Sequence, residues 1–175
     1  MPQTLLAVCA IMAFSFFALG QHKSNAELER KAITSEIELA ATDIARDQLV
    51  AITSHVYDEV DVDRTDLRRD AVGLSALLGP DAGESSIEFF DDLDDFNAFN
   101  DTLSVEWHGT NLTFAVTANV RYVDANQPET PSASPSLAKE VVVSVTEVRS
   151  ENADRPNVSA SLAHVITPVW TTIHG

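Results

Sequence analysis

The first 22 residues of the chain, from Met1 to His22, contain no charged side chain, and Leu5–Gly20 is almost wholly apolar. As an α-helix this run is about 33 Å long at about 1.5 Å per residue, close to the thickness of a bilayer core. A helix that is apolar on every face has to be buried, either in lipid or against other protein. The segment is therefore predicted to lie in a membrane or inside an assembly, outside the folded body of the chain.

The predicted helix does not stop at His22, because neither a proline nor a cluster of turn residues follows it. The pattern becomes amphipathic instead, with an apolar residue on the same face every three or four positions. This spacing predicts one helix from Pro2 to about Tyr57, roughly 80 Å long, which a domain of this size cannot cover over its whole length. Its second half is expected to dock onto a sheet through four isoleucines: Ile33, Ile37, Ile44 and Ile52.

Residues 1–22 allow three interpretations. The small residues of Ala18-Leu19-Gly20 suit a signal peptide cleaved before Gln21, although MPQT lacks the basic start that such signals carry. A single-span anchor would place Lys23 and the residues after it in the cytoplasm by the positive-inside rule. In the third interpretation a short basic leader has already been removed, and the apolar helix is retained as an assembly element. The unbroken continuation into an amphipathic helix favours the third.

Beyond the helix, residues 58–102 form an acidic connector in which two short helices are predicted. Thr65 or Asp66 is suited to cap the first of them, and Ser85 or Ser86 to cap the second. Both helices would be local elements between the long helix and a separate body.

From Leu103 onward the apolar period changes to two, which is typical of half-buried strands. Short connections between such strands predict an antiparallel meander, with a tight turn at His108-Gly109-Thr110 and an exposed, mobile loop at 124–138. The predicted strands are Leu103–Trp107, Asn111–Val123, Lys139–Arg149 and a fourth between Val158 and Thr172.

The predicted fold class is therefore α+β, with a long N-terminal helix packed on a small antiparallel sheet. The chain is expected to divide into an apolar helix (1–22), an amphipathic spine (23–57), the connector (58–102) and a sheet domain (103–175).

Charge and cysteine content limit the function classes. The net charge of −16 argues against direct binding of nucleic acid, whose phosphates would be repelled. Cys9 is the single cysteine, so an internal disulfide is excluded. The sequence contains no glycine-rich nucleotide loop, no nucleophile elbow and no histidine pair at metal spacing. Neither an enzyme nor a cofactor is predicted.

Two weaker patterns concern metals and glycans. The acidic runs 58–63 and 91–95 could bind calcium through clustered carboxylates, but both lack the glycine and terminal glutamate of an EF-hand loop. A solvated acidic face is the favoured interpretation of both runs. Three N-glycosylation sequons mark candidate acceptor residues at Asn100, Asn111 and Asn157.

A long helix that is apolar and then amphipathic, followed by a variable connector and a small antiparallel sheet, resembles the type IV pilin superfamily. The resemblance is architectural, covers the whole chain and is strongest over Thr4–Val56. It implies subunits that wait in the membrane, are processed by a prepilin-type peptidase and are assembled by a cytoplasmic ATPase machine. With Met1 as the mature N-terminus, Leu5 stands where bacterial major pilins usually carry glutamate. An archaeal-type subunit, a divergent bacterial family and a minor pilin all stay open.

The favoured hypothesis is a structural subunit of an extracellular filament at the cell surface, held in the inner or cytoplasmic membrane before assembly. Its partners would be copies of itself, the membrane, and the pilus or secretion assembly machinery. The alternative is a membrane-anchored or secreted non-enzymatic binding module, or a pseudopilin-like component of a secretion system. Helix–helix assembly is assigned to nine residues: Leu5, Leu6, Val8, Ile11, Met12, Phe14, Phe16, Phe17 and Leu19.

Overall fold

The computed structural model describes residues 2–62, 70–149 and 155–168. Within these ranges the chain forms one α-helix, five β-strands and three 3-10 turns. The helix is α1 (Pro2–Thr53), and the strands are β1 (Phe99–Trp107), β2 (Thr110–Asp124), β3 (Gln127–Pro131), β4 (Lys139–Glu147) and β5 (Ser159–Ile166). The 3-10 turns are Glu59–Asp61, Ile87–Phe89 and Asp94–Phe96.

The chain divides into two compact units, Met1–Leu39 and Ala40–Gly175. Helix α1 continues from the first unit into the second and passes through Gly20 without a break in its helical backbone. The prediction of one uninterrupted N-terminal helix is therefore confirmed, and the second unit contains its last turns together with the sheet.

Helix α1 ends at Thr53, before the predicted end at Tyr57. Ser54 Oγ donates to a carbonyl oxygen of the last turn at 2.6 Å, which satisfies one of the acceptors that a helix end leaves open. Val56 then forms an isolated parallel bridge with Asp92. The helix stops early because the backbone at residue 56 pairs with the connector, a pairing that the periodicity of the helix could not indicate.

The strands form one antiparallel sheet in the order β1-β2-β4-β5, and β3 pairs with the end of β2. Each predicted strand is found, with ends that differ by a few residues. The fold class is α+β: one long N-terminal helix packed on a five-stranded antiparallel sheet, as predicted.

The turn between β1 and β2 lies where the sequence predicted it. Trp107 pairs with Thr110, so His108 and Gly109 form a two-residue loop. Their φ angles are 46° and 77°, both in the left-handed region. Two successive positive φ values are the mark of a type I′ turn, whose twist matches that of the strands it joins. Gly109 adopts this conformation without the steric cost that a side chain would add.

Buried and more exposed side chains alternate along the two central strands, β2 and β4, so that one face of the sheet is buried. In the second unit this face is covered by the last turns of α1, where Ala41, Ala45 and Ile52 are almost fully buried. The buried inner-face residues of the central strands are Phe114, Val116, Ala118 and Val120 on β2 and Val141, Val143 and Val145 on β4.

The connector differs most from the prediction. Its described part, residues 58–62 and 70–98, contains no α-helix, and Ser86 precedes only the 3-10 turn Ile87–Phe89. The start predicted at Thr65 or Asp66 lies outside the described residues. Acidic side chains here bind nearby backbone N–H groups, an interaction that competes with helix formation.

Two strand assignments also change. Strand β1 begins at Phe99 and so includes the last residues assigned to the connector. Strand β3 lies inside the segment 124–138, which was predicted to be a loop. Every residue of β3 is exposed, so it lacks the buried face that produces a visible period of two.

Candidate functional site

The nine residues assigned to assembly all lie on the first half of α1, and every one of them is exposed. Their exposed fractions run from 52% at Val8 to 75% at Phe16. By length and composition this helix could cross a membrane, with a mean hydropathy of 1.9 over its most apolar window. Signal sequences and the core helices of soluble proteins meet the same criterion, so length and composition alone do not identify what buries this apolar surface.

The four isoleucines expected to dock the sheet differ in burial. Ile37 and Ile52 are each 1% exposed, Ile44 is half-buried, and Ile33 is 39% exposed. The buried residues of the helix thus begin at Ile37 and include Ala41 and Ala45. The spacing of the isoleucines did not predict these two alanines as docking residues.

The three sequon asparagines are all exposed. Asn100 lies on β1, Asn111 near the start of β2, and Asn157 just before β5. Each amide is accessible to a glycosylating enzyme, and nothing else in the structure brings these residues together.

The solvated face that was favoured for the two acidic runs is found only at part of them, since Glu59 and Asp91 are exposed but four aspartates are buried. Asp58 is fully buried, and Asp92, Asp94 and Asp95 are each 2–3% exposed. Buried carboxylates are costly unless they are paired and hydrogen-bonded. Their burial requires a cation, and the structure supplies one from a distant part of the sequence.

That cation is Lys139, the first residue of β4, whose side chain is fully buried. Its Nζ donates to Asp94 Oδ1 at 2.5 Å, to the carbonyl oxygen of Tyr57 at 2.5 Å and to Asp58 Oδ2 at 3.1 Å. These three acceptors use all three ammonium protons. The ring centroids of Tyr57 and Tyr122 lie 4.5 and 5.2 Å from Nζ, which adds cation–π attraction. We call these residues, together with Asp92, the Lys139 cluster.

Asp58 is held by further donors besides the lysine. Ser75 donates from its backbone N–H to Asp58 Oδ2 at 3.1 Å and from its hydroxyl to Asp58 Oδ1 at 3.1 Å. The hydroxyl of Tyr122 lies 3.1 Å from Asp58 Oδ2 and 2.9 Å from the carbonyl oxygen of Ser75. Burial first, and then Asp58, raise the pKa of Tyr122, which therefore stays a neutral donor.

Asp92 and Asp94 lie on the other side of Lys139. Asp92 Oδ1 accepts the backbone N–H of Asp94 at 2.8 Å, and the two carboxyl groups are hydrogen-bonded to each other. Burial, followed by the charges of Asp94 and Asp95, raises the pKa of Asp92 to about 8. Burial also raises the pKa of Asp94, against the opposing effect of Lys139. Asp92 is consequently the proton-bearing member of the pair at neutral pH.

Lys139 is the functional residue that sequence reasoning missed, although a signal for it was present. In KEVVVSVTE the period of two places Lys139 and Glu147 in phase with the buried valines of β4. A charge at each end of an inward-facing row indicates buried ion pairs. Glu147 is also buried, and Arg155 binds both of its carboxylate oxygens, at 2.6 and 2.9 Å.

Among the described residues, a second cluster of carboxylates is the nearest arrangement to a metal site. One oxygen each from Glu59, Glu84 and Asp91 can be chosen so that all three lie within 4.8 Å of one another. Partial desolvation and then Asp91 raise the pKa of Glu59. Hard oxygen ligands of this kind suit Ca²⁺. The three are exposed or half-buried, as carboxylates without an ion commonly are, and we assign no metal to them.

The raised pKa of Asp92 predicts a pH dependence of stability. Its pKa rises from 3.8 to about 8, so between these values the folded chain keeps a proton that the unfolded chain has released. Stability is therefore greatest at the acid end and is lost as the pH rises through about 8, with a slope approaching ~1.4 kcal/mol per pH unit for one proton. Urea unfolding of the full chain in detergent between pH 5 and 8.5 should give a smaller slope in Asp92→Asn.

Asparagine keeps the Oδ1 acceptor for the backbone of Asp94 but cannot titrate. Glu88→Gln, at an exposed position, is the matched control and should leave the slope unchanged. An Asp92→Asn slope equal to that of the wild type would assign the pH dependence to other groups.

Comparison of this chain with protein-family models, with curated proteins and with solved structures finds no match in any of the three.

Proposed function

We propose that this chain is a structural subunit of a pilin-like extracellular filament and that it polymerises through the first half of α1. The observation that carries the proposal is the exposure of nine large apolar side chains on a helix that continues into a folded unit. A purely soluble monomer would expose far more contiguous apolar surface than such proteins tolerate.

Copies of the same helix can supply the missing cover. Burial stabilises each large apolar side chain by about 1.5–3 kcal/mol, and in a polymer this gain repeats in every subunit. Small residues interleave with the large ones and let neighbouring helices approach closely, as they do in membrane helix pairs. These small residues are Ala7, Ala10, Ala13, Ser15 and Ala18.

The same surface suits a membrane before assembly. The uncharged run is about as long as a bilayer core is thick, and Ser15 Oγ binds the carbonyl oxygen of Ile11 at 2.9 Å, which satisfies its one polar side chain in mid-segment. A membrane-anchored, non-polymerising binding module is the second candidate, because a single lipid-embedded helix satisfies the same apolar surface. The two candidates differ in whether the chain is released from the membrane into a polymer.

Material sheared from the surface of native cells distinguishes them. We expect filaments by electron microscopy, with this chain as their protein, and an N-terminal sequence and intact mass that include the apolar helix. Recovery of the chain only from membranes, without filaments, would favour the anchored module. A native chain that begins near Gln21 would overturn both candidates, because it would have lost the helix on which they depend.

A further inference from the structure

The Lys139 cluster holds an amine and a carboxyl group in contact inside a region closed to solvent. Lys139 Nζ and Asp94 Oδ1 are 2.5 Å apart, and the two side chains are 0% and 4% exposed. The carboxyl carbon lies one bond behind this oxygen, within reach of the separation of about 3–3.5 Å that permits reaction between oriented groups. We propose that Lys139 Nζ and Asp94 Cγ join in an intramolecular amide bond, an isopeptide crosslink that forms after folding.

Burial favours the product over the ion pair. An ammonium and a carboxylate carry a desolvation cost of several kcal/mol each inside a protein, whereas an amide carries no net charge. The fold also fixes the orientation of both groups, which removes the entropic cost of an encounter. The water that is released can leave to bulk solvent.

The step balances without any co-reactant. Lys139 passes one proton to Asp58, which is 3.1 Å away, and the neutral amine attacks Asp94 Cγ. The Nζ–Cγ bond forms and a Cγ–O bond breaks. The departing oxygen takes one proton from Asp92 and one from Nζ and leaves as water, and the proton accepted by Asp58 replaces the one that Asp92 donated. The net loss is two of the three ammonium protons and one carboxyl oxygen, so the chain becomes lighter by the mass of one water. Nothing is oxidised or reduced.

Asp92 is placed to act as the acid. Its carboxyl group is hydrogen-bonded to that of Asp94, and burial keeps it protonated at neutral pH. A proton donor on the carboxyl oxygen under attack stabilises the negative charge that develops there. Asp58 and Asp92 therefore divide the base and acid roles on opposite sides of the reacting pair.

Asp94 is the acceptor rather than Asp58 for two reasons. Its oxygen is closer to Nζ, at 2.5 Å against 3.1 Å. Both oxygens of Asp58 also accept hydrogen bonds from Ser75 or Tyr122, which hold its carboxyl group away from attack. After reaction Asp58 would keep these donors, and the new amide N–H could donate to the carbonyl oxygen of Tyr57.

Trypsin provides a direct test on the full chain, produced in a host that does not glycosylate. Cleavage after arginine yields the segments 70–121 and 122–149, the first of which contains Asp94. Trypsin also cuts after a free Lys139 but not after an acylated one. We expect a branched product that joins 70–121 to an uncut 122–149, lighter than their sum by one water. Recovery of linear 122–139 and linear 70–121 as the main products would overturn the proposal.

Three variants sharpen the result. Lys139→Arg keeps the cation but cannot form the amide, so it should give only linear peptides. Asp92→Asn should slow bond formation by about 10²–10⁴-fold, the usual contribution of a general acid, while the chain stays folded by circular dichroism. Glu88→Gln is the control, because Glu88 lies in the same connector but is exposed and outside the Lys139 cluster. It should keep the crosslink, and a loss equal to that of Asp92→Asn would remove Asp92 from the mechanism. The crosslink is independent of filament assembly and can be present whichever function is right.

Discussion

Replacing Phe14 by aspartate should eliminate filaments from the sheared surface fraction while the unit that begins at Ala40 stays folded. Phe14 is 72% exposed in the middle of the uncharged run. In a polymer of apolar helices an aspartate there would be a buried charge without a partner, which costs several kcal/mol per subunit. The burial of the phenylalanine, worth about 1.5–3 kcal/mol, is lost as well. Electron microscopy and immunoblots of sheared and membrane fractions measure the result.

Phe14→Leu is the matched control for this substitution. It removes the ring but keeps an apolar side chain, so filaments should form. An aspartate at the centre of a membrane helix also weakens insertion by about 2.5–3.5 kcal/mol, and the membrane fraction therefore has to be measured beside the sheared one. Filaments of normal abundance from Phe14→Asp would contradict the assembly role of the helix.

Replacing Lys139 by methionine should lower the free energy of unfolding of the second unit by at least ~3 kcal/mol. Methionine keeps an apolar stem but leaves Asp58 and Asp94 without their cation, and breaking a buried ion pair from one side costs about 3–5 kcal/mol. If the crosslink is present, its loss also frees a loop of 45 residues in the unfolded chain, worth about 4 kcal/mol in the chain-entropy model. Either effect is a large share of the ~5–15 kcal/mol that stabilises an ordinary domain.

Urea unfolding at pH 7, followed by circular dichroism, measures this change. Glu140→Gln is the control one residue along the same strand, where Glu140 pairs with Arg121 and the two side chains are 14% and 51% exposed. The arginine of this pair reaches solvent and glutamine keeps an acceptor for it, so this variant should lose much less stability than Lys139→Met. A Lys139→Met variant as stable as Glu140→Gln would mean that the cluster contributes little to stability.

The features that sequence patterns could predict are those set by local period and turn chemistry. The apolar-to-amphipathic helix, the alternating strands and the turn at Gly109 each follow from residues close together in the chain. Burial on the helix was predicted less well. Ile37 and Ile52 are buried, but so are Ala41 and Ala45, and a pattern read from large apolar side chains does not mark alanines as docking positions.

The Lys139 cluster could not be predicted in the same way, because its members are distant in sequence. Lys139 lies 81 residues from Asp58 and 45 from Asp94. Without a partner in view, an acidic run is best interpreted as a solvated surface, and only the fold shows that one lysine lies among these carboxylates. The connector was mispredicted for a related reason. The side chains of the buried Asp92 and Asp95 accept hydrogen bonds from nearby backbone N–H groups, and these bonds replace those of a helix.

The position of Asp58 has a mechanical consequence. The chain reaches Asp58 shortly after α1 ends at Thr53, and Asp58 is bound to Lys139 at the start of the central strand β4. A tensile force transmitted along α1 would therefore reach the sheet at its centre, through the ion pair between Asp58 and Lys139. Substitutions at exposed connector positions such as Leu77 and Ile87 could then change the outer surface of the second unit without weakening its resistance to stretching.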